Sequence, residues 1–206
     1  MARRHPRVLV AAAAGLVLLV ASALAALPPS LSGIELAFFG WVNDAGGIPL
    51  ALAWPPMQLG NVLAVPVSAL AALATGRARL ALGLAGAGML SWLAAKEIKD
   101  AVERGRPGAL VDGAVLRDAH PGGLGFPSGH AAVAAALAIV VWPHLPRRGR
   151  MALVVLVLAV GFLRLYVGAH LPLDVSGGLG LGLAVGGAIA AALGWQQVRG
   201  ATMVDR

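Results

Sequence analysis

The sequence predicts an all-α fold: an integral membrane bundle of six transmembrane helices, both termini cytoplasmic, with one short interfacial helical segment. Three observations predict it. Of 206 residues, 59% are hydrophobic and only 12% charged, where a soluble domain carries about a quarter charged residues. The apolar residues gather in runs that suit roughly 30 Å of hydrocarbon, which takes about 20 residues of helix to cross. The basic residues concentrate on alternate connecting segments. With a mean hydropathy of +0.82, there is too little polar surface to face water, so the solvent around this chain is lipid.

Six runs are expected to span, within a single domain covering residues 1–206. They are residues 8–27, 57–75, 80–95, 128–142, 151–167 and 173–195, the third and fourth being short. The first follows a basic stretch and ends near Ala23-Leu24-Ala25, as a cleaved signal peptide does. It is long for a signal peptide, and is read as a retained span. Between the first two runs, Leu31, Ile34, Phe38 and Trp41 recur at helical spacing, which predicts a segment lying on the outer surface. Pro66 is expected to kink the second span. Gln58 and Asn61 are expected to hydrogen-bond between helices. Gly178, Gly182 and Gly186 make small-xxx-small steps along the last span, where a neighbouring helix can approach closely.

The basic residues set the orientation. With a cytoplasmic N-terminus, the inner segments collect Arg3, Arg4, Arg7, Arg77, Arg79, Arg147, Arg148, Arg150, Arg199 and Arg206 against Asp205 alone. The outer segments hold Lys96, Lys99, Arg104, Arg106, Arg117 and Arg164 against all the remaining acids. This is a strong positive-inside asymmetry. It accounts for the net charge of +7 without nucleic acid as a partner. The chain has no cysteine, which excludes disulfides, thiolate metal sites and a cysteine nucleophile.

A charge near the bilayer centre costs at least about 2.5–3.5 kcal/mol, and the ionisable residues here avoid the middles of the spans. They gather at outer ends in three clusters: Lys99, Arg104 and Arg106-Pro107; Phe126-Pro127-Ser128-Gly129-His130; and Arg164, His170 and Asp174. Because successive helices alternate direction, all three are expected at one membrane face. Lys99, Arg106 and Arg164 put three cations around one point, which suits an anion with several oxygens. Pro-Ser-Gly at a helix start adds backbone N–H groups, a positive dipole end and the Ser128 hydroxyl. His170 and Asp174, four apart, fall on one face of a helical turn, an arrangement in which a carboxylate orients a nucleophilic imidazole. His130 offers a second imidazole to protonate a leaving oxygen. Cations, nucleophile and acid together describe phosphoryl transfer. Arg104, though near these groups in sequence, stands one turn away from them and is read as surface charge, and His120 as a plain loop histidine.

Lys99-x6-Arg106-Pro107, Pro127-Ser128-Gly129-His130 and Arg164-x5-His170-x3-Asp174 resemble the three-part signature of the type 2 phosphatidic acid phosphatase superfamily. That superfamily also includes the vanadium haloperoxidases. The resemblance implies that His170 attacks phosphorus to form a phosphohistidine, that Asp174 orients it, and that His130 protonates the departing oxygen and then activates water. It implies that Lys99, Arg106, Arg164, Ser128 and the Gly129 amide hold the phosphoryl oxygens. No metal and no cofactor are implied. One departure stands out: the family usually has Ser before the third-motif Arg, where this chain has Leu163.

The expected activity is metal-independent hydrolysis of a lipid phosphate or diphosphate at the extracytoplasmic side of the inner (plasma) membrane. Polyprenyl diphosphate is favoured, with phosphatidylglycerol phosphate, phosphatidate and a lipid A phosphate open. Two alternatives stand beside it: a lipid phosphotransferase using the same site, and a non-enzymatic transporter. A transporter would need polar groups or broken helices near the midplane, whereas the charges here gather at one surface. The haloperoxidase branch is soluble, and this chain is not.

Overall fold

The computed structural model describes residues 6–117 and 122–194, and among these the chain is helical without strands. Among the described residues nine α-helices follow in order: α1 Pro6–Ala26, α2 Gly33–Asn43, α3 Leu50–Gln58, α4 Ala64–Ala74, α5 Ala78–Val102, α6 Pro107–Leu110, α7 Gly129–Val141, α8 Arg147–Tyr166 and α9 Pro172–Ala192. Val8–Ala26, Ala78–Val102, Arg147–Tyr166 and Pro172–Ala192 are each long and apolar enough to cross a membrane, and Ala64–Ala74 and Gly129–His144 are shorter apolar helices. His120, Trp195, Arg3, Arg4, Arg199 and Arg206 lie outside the described residues.

The centre of the bundle is α9, packed on one side against α7 and on the other against α1. Two strips of small residues make this possible. Gly178, Gly182 and Gly186 face the backbone and alanines of α7, where a side chain would collide with Ser128, Ala132 and Ala136. Gly180 and Gly187 face Gly15 and Ala12 of α1. The expected glycine steps are therefore the α7 contact, and a second strip serves α1. Ser22 of α1 and Ser176 of α9 join hydroxyls at 2.8 Å. Large apolar side chains such as Val10, Val17, Leu24, Val155 and Leu158 point outward, as lipid-facing positions do.

The second expected span is broken. The helices α3 and α4 are separated by a turn over residues 59–63, and α4, with 11 residues, reaches only roughly 16 Å. The break falls at Gly60 rather than at Pro66, which sits in the first turn of α4, where its missing N–H leaves no bond unmade. Gly60 lies against the backbone of His130. Nor do the amides bond between helices: Asn61 donates to Gln58 Oε1 at 3.1 Å and accepts from the Leu63 N–H at 3.0 Å.

The segment after α1 is helical, as its spacing predicts. Ser32 caps α2 by accepting from the Glu35 N–H. Ile34, Phe38 and Trp41 are exposed, whereas Glu35, Phe39, Val42 and Asn43 are buried against the bundle. Asn43 is a hub: its amide donates to the carbonyls of Val115, Leu165 and Tyr166 and accepts from the Val115 N–H. Tyr166 donates its hydroxyl proton to the Ile48 carbonyl at 2.8 Å, and the Arg117 guanidinium lies over its ring at 4.1 Å. These contacts tie α2, the loop before α7 and the end of α8 into one platform.

Candidate active site

At one end of the bundle α5 and α8 end and α7 and α9 begin, and there the three clusters meet. Glu103, with φ 52°, ends α5 in the left-handed region and turns Arg104 inward. Gly168, with φ 75°, ends α8 in the same conformation, one that glycine adopts without steric cost. The chain then reverses, with the N–H groups of Ala169 and His170 bonded to the Arg164 carbonyl.

Each expected site residue can be placed. Lys99, in the last turn of α5, donates to the carbonyls of Leu124 and Gly125 at 3.0 and 2.8 Å. Arg106 donates to the same Leu124 carbonyl at 3.4 Å. Arg164, in the last turn of α8, contacts Met57 Sδ at 3.8 Å. Ser128 is fully buried and caps α7, its hydroxyl accepting from the Ala131 N–H, while its own N–H donates to the Asp174 carbonyl at 2.8 Å. Gly129 opens α7 with open space where a Cβ would stand, and His130 follows it in the first turn, half-buried.

His170 is 3% exposed and Asp174 0%. Asp174 Oδ2 accepts from the Leu171 N–H at 2.8 Å and lies 3.5 Å from His170 Nδ1. Burial pushes the His170 pKa well below the usual imidazole range, helped by the positive charges of Arg164, Lys99 and Arg106, while an interaction with the Gly125 backbone opposes the shift. The ring is therefore held as a neutral base among cations, the form in which imidazole is a nucleophile.

Arg104 corrects the sequence reading. It is 8% exposed, donating to Asp174 Oδ1 at 3.0 Å and to Glu35 Oε2 at 2.6 Å. Sequence reasoning missed Glu35 too, although a lone carboxylate in an otherwise apolar helical stripe was a signal. Leu163, where the signature usually has Ser, is packed into the core around Met57 and Tyr166.

Gly125 must stay bare. A Cβ there would stand 2.7 Å from Asp174 Oδ2 and 2.9 Å from the Gly105 carbonyl. The Gly125→Ala variant is expected to lose about 1–3 kcal/mol of stability from this overpacking, read as a lowered thermal midpoint in detergent.

Two apolar clefts flank α7. One, of about 260 Å³, is lined by Leu59, Ala64, Ala134, Leu137, Val157 and Val160 and begins one helical turn below His130. The other, of about 450 Å³, lies toward the opposite end, near Val8, Trp142 and Pro143, and no site residue lines it. Among the described residues no three His, Cys, Asp or Glu side chains gather where they could hold a metal ion.

Residues 76–197, more than half of the chain, match the family model of the PAP2 superfamily. The chain belongs to that superfamily. The match covers all three clusters of the site. The solved structure of LpxE from Aquifex aeolicus is 25% identical to this PAP2 chain, covers 75% of it and 93% of its own length, and superposes with a TM-score of 0.68. A transmembrane PAP2 type phosphatidylglycerolphosphate phosphatase from Bacillus subtilis is 22% identical, covers 86% of this chain and 93% of its own, and gives a TM-score of 0.65. That second likeness is one of fold. Among curated proteins, none matches the sequence.

Proposed function

We propose that this PAP2 chain is a metal-independent lipid phosphatase working through a phosphohistidine. The observation that carries the reading is the buried His170–Asp174 pair facing Lys99, Arg106 and Arg164 beside the N-terminus of α7. A phosphate group seated there has its oxygens held by the three cations and by the Gly129 N–H at the positive end of α7, which stabilises charge as it accumulates in the transition state. The Ser128 hydroxyl, whose proton is not used in capping α7, adds a donor.

The neutral His170 ring attacks phosphorus with one nitrogen while Asp174 faces the other. The bond to the lipid oxygen breaks, and that oxygen takes a proton from His130. Bound phosphate brings the negative charge that a protonated imidazole needs in this cationic setting. Water then attacks the phosphohistidine, giving its proton to His130; the P–N bond breaks, and His170 and the protonated His130 are restored. The positive charge that a divalent ion supplies in other phosphoryl-transfer sites is carried here by Lys99, Arg106 and Arg164.

The single domain of residues 1–206 is read as crossing the inner membrane six times with both termini cytoplasmic, α3 and α4 together forming the second passage. The site then opens at the extracytoplasmic rim, where a lipid keeps its tail in the bilayer while its phosphate reaches water. The cleft below His130 supports a long apolar tail, and polyprenyl diphosphate is the favoured substrate.

The test is a phosphate-release panel with purified protein: polyprenyl diphosphate, phosphatidylglycerol phosphate and phosphatidate, each with and without excess EDTA. Release of inorganic phosphate that is unchanged by EDTA is expected, fastest from the polyprenyl diphosphate. Activity lost in chelator and restored by one divalent ion would overturn the metal-independent reading. Phosphate appearing only on an added lipid or sugar acceptor would make the chain a transferase.

A further inference from the structure

Arg104 stands outside the three-part signature, and the chemistry above does not use it. It is nevertheless buried at 8% exposure, with both its contacts on carboxylates. One guanidinium nitrogen holds Asp174 Oδ1 at 3.0 Å and the other holds Glu35 Oε2 at 2.6 Å. The remaining Glu35 oxygen accepts from the Leu173 N–H at 3.0 Å, and the remaining Asp174 oxygen accepts from Leu171 and faces His170. Every oxygen of the two buried carboxylates thus has a partner, and the partners run in a line from α2 to the imidazole.

We infer that Arg104, clamped by Glu35, is a positioning residue that sets the Asp174 carboxylate at the angle from which it orients His170. The inference rests on reading His170 as the nucleophile. With one hydrogen bond alone the carboxylate would turn about its own axis. With Arg104 on one oxygen and the Leu171 N–H on the other, its plane is fixed and Oδ2 is the oxygen that faces the ring. A planar guanidinium gives direction as well as distance.

Charge explains the second carboxylate. Arg104 alone would cancel Asp174, leaving His170 without a negative neighbour among Lys99, Arg106 and Arg164. Glu35 offsets Arg104, so the group of three keeps one net negative charge. That charge faces the imidazole, which becomes positive on bonding to phosphorus. Glu35 also accepts from the Leu173 N–H in the first turn of α9, so one side chain from α2 holds both Arg104 and the helix that bears Asp174.

Turnover by purified Arg104→Met, Arg104→Lys, Glu35→Gln and His170→Ala, with phosphate release from a polyprenyl diphosphate as the readout, tests this. Arg104→Met is expected to lower kcat on the order of 10²-fold, the cost of misplacing a reacting group by about 1 Å, with KM nearly unchanged because no substrate contact is removed. Arg104→Lys is expected to recover about tenfold of that loss by restoring the cation without the fork. Glu35→Gln keeps the shape but loses the charge and one of the two acceptor oxygens that Arg104 and the Leu173 N–H use, and it is expected to lower kcat by about tenfold.

A folded Arg104→Met with normal kcat, or with its loss confined to KM, overturns the inference. Should Arg104→Met fail to fold, normal kcat in a folded Glu35→Gln overturns it equally. Activity surviving in His170→Ala refutes the nucleophile instead, whereas an inactive His170→Ala beside a normal Arg104→Met sinks the positioning role alone.

Discussion

His170→Ala is expected to lower phosphate release by about 10⁴-fold or more, the scale on which removing a covalent nucleophile acts, while the protein still inserts in the membrane. His170 lies between α8 and α9 rather than inside a helix, and its Nδ1 stands 3.5 Å from Asp174 Oδ2. Truncating the ring therefore breaks no helix and leaves Asp174 with Arg104 and the Leu171 N–H. What is lost is an imidazole that burial and the surrounding cations hold as a neutral base. Membrane fractionation and phosphate release measured on the same preparation check both halves. A variant that inserts and turns over at the normal rate would refute the covalent route.

The Asp174→Asn change is expected to be nearly as severe, on the order of 10⁴-fold in kcat for an orienting carboxylate, and it also threatens the fold. Asparagine keeps the shape but has one acceptor oxygen where the aspartate uses two. Either the Leu171 N–H or the Arg104 guanidinium must then lose its partner. Arg104 would be left buried with Glu35 alone, and breaking one side of a buried charge pair costs about 3–5 kcal/mol. The expected result is a folded but less stable protein with almost no turnover, seen as a lowered thermal midpoint together with phosphate release near background. Normal kcat in this variant would remove Asp174 from the chemistry.

The charged half of the site was legible because lipid makes it so. A bilayer penalises charge everywhere except at helix ends, and Lys99, Arg106, His130, Arg164, His170 and Asp174 stand out against apolar sequence for that reason. The long spans were legible in the same way, since α1, α5, α8 and α9 are apolar for most of their length. Hydropathy was blind to contact. It cannot register that Gly60 must approach the His130 backbone, so the break between α3 and α4 was hidden inside an apolar run and the kink was expected at Pro66. It was equally blind to Arg104, whose second partner comes from α2. An arginine between a glutamate and a glycine reads as solvated until the fold brings two carboxylates to it. Ser32 caps α2, and in a Ser-x-x-Glu sequence the glutamate can close the cap as well. The Glu35 side chain, however, reaches away to Arg104 and Leu173 instead of closing that cap.

The bare backbone where α9 meets α1 has an engineering consequence. The stretch recognised as PAP2 begins at residue 76, so a designer trimming to it would keep all three clusters of the candidate site. Such a fragment would lose Gly15 and Ala12, which cover one strip of the central helix, and Glu35, which anchors Arg104 from outside that stretch. The signature is thus not a transplantable cassette in this chain: its alignment is set by a preamble that carries none of it.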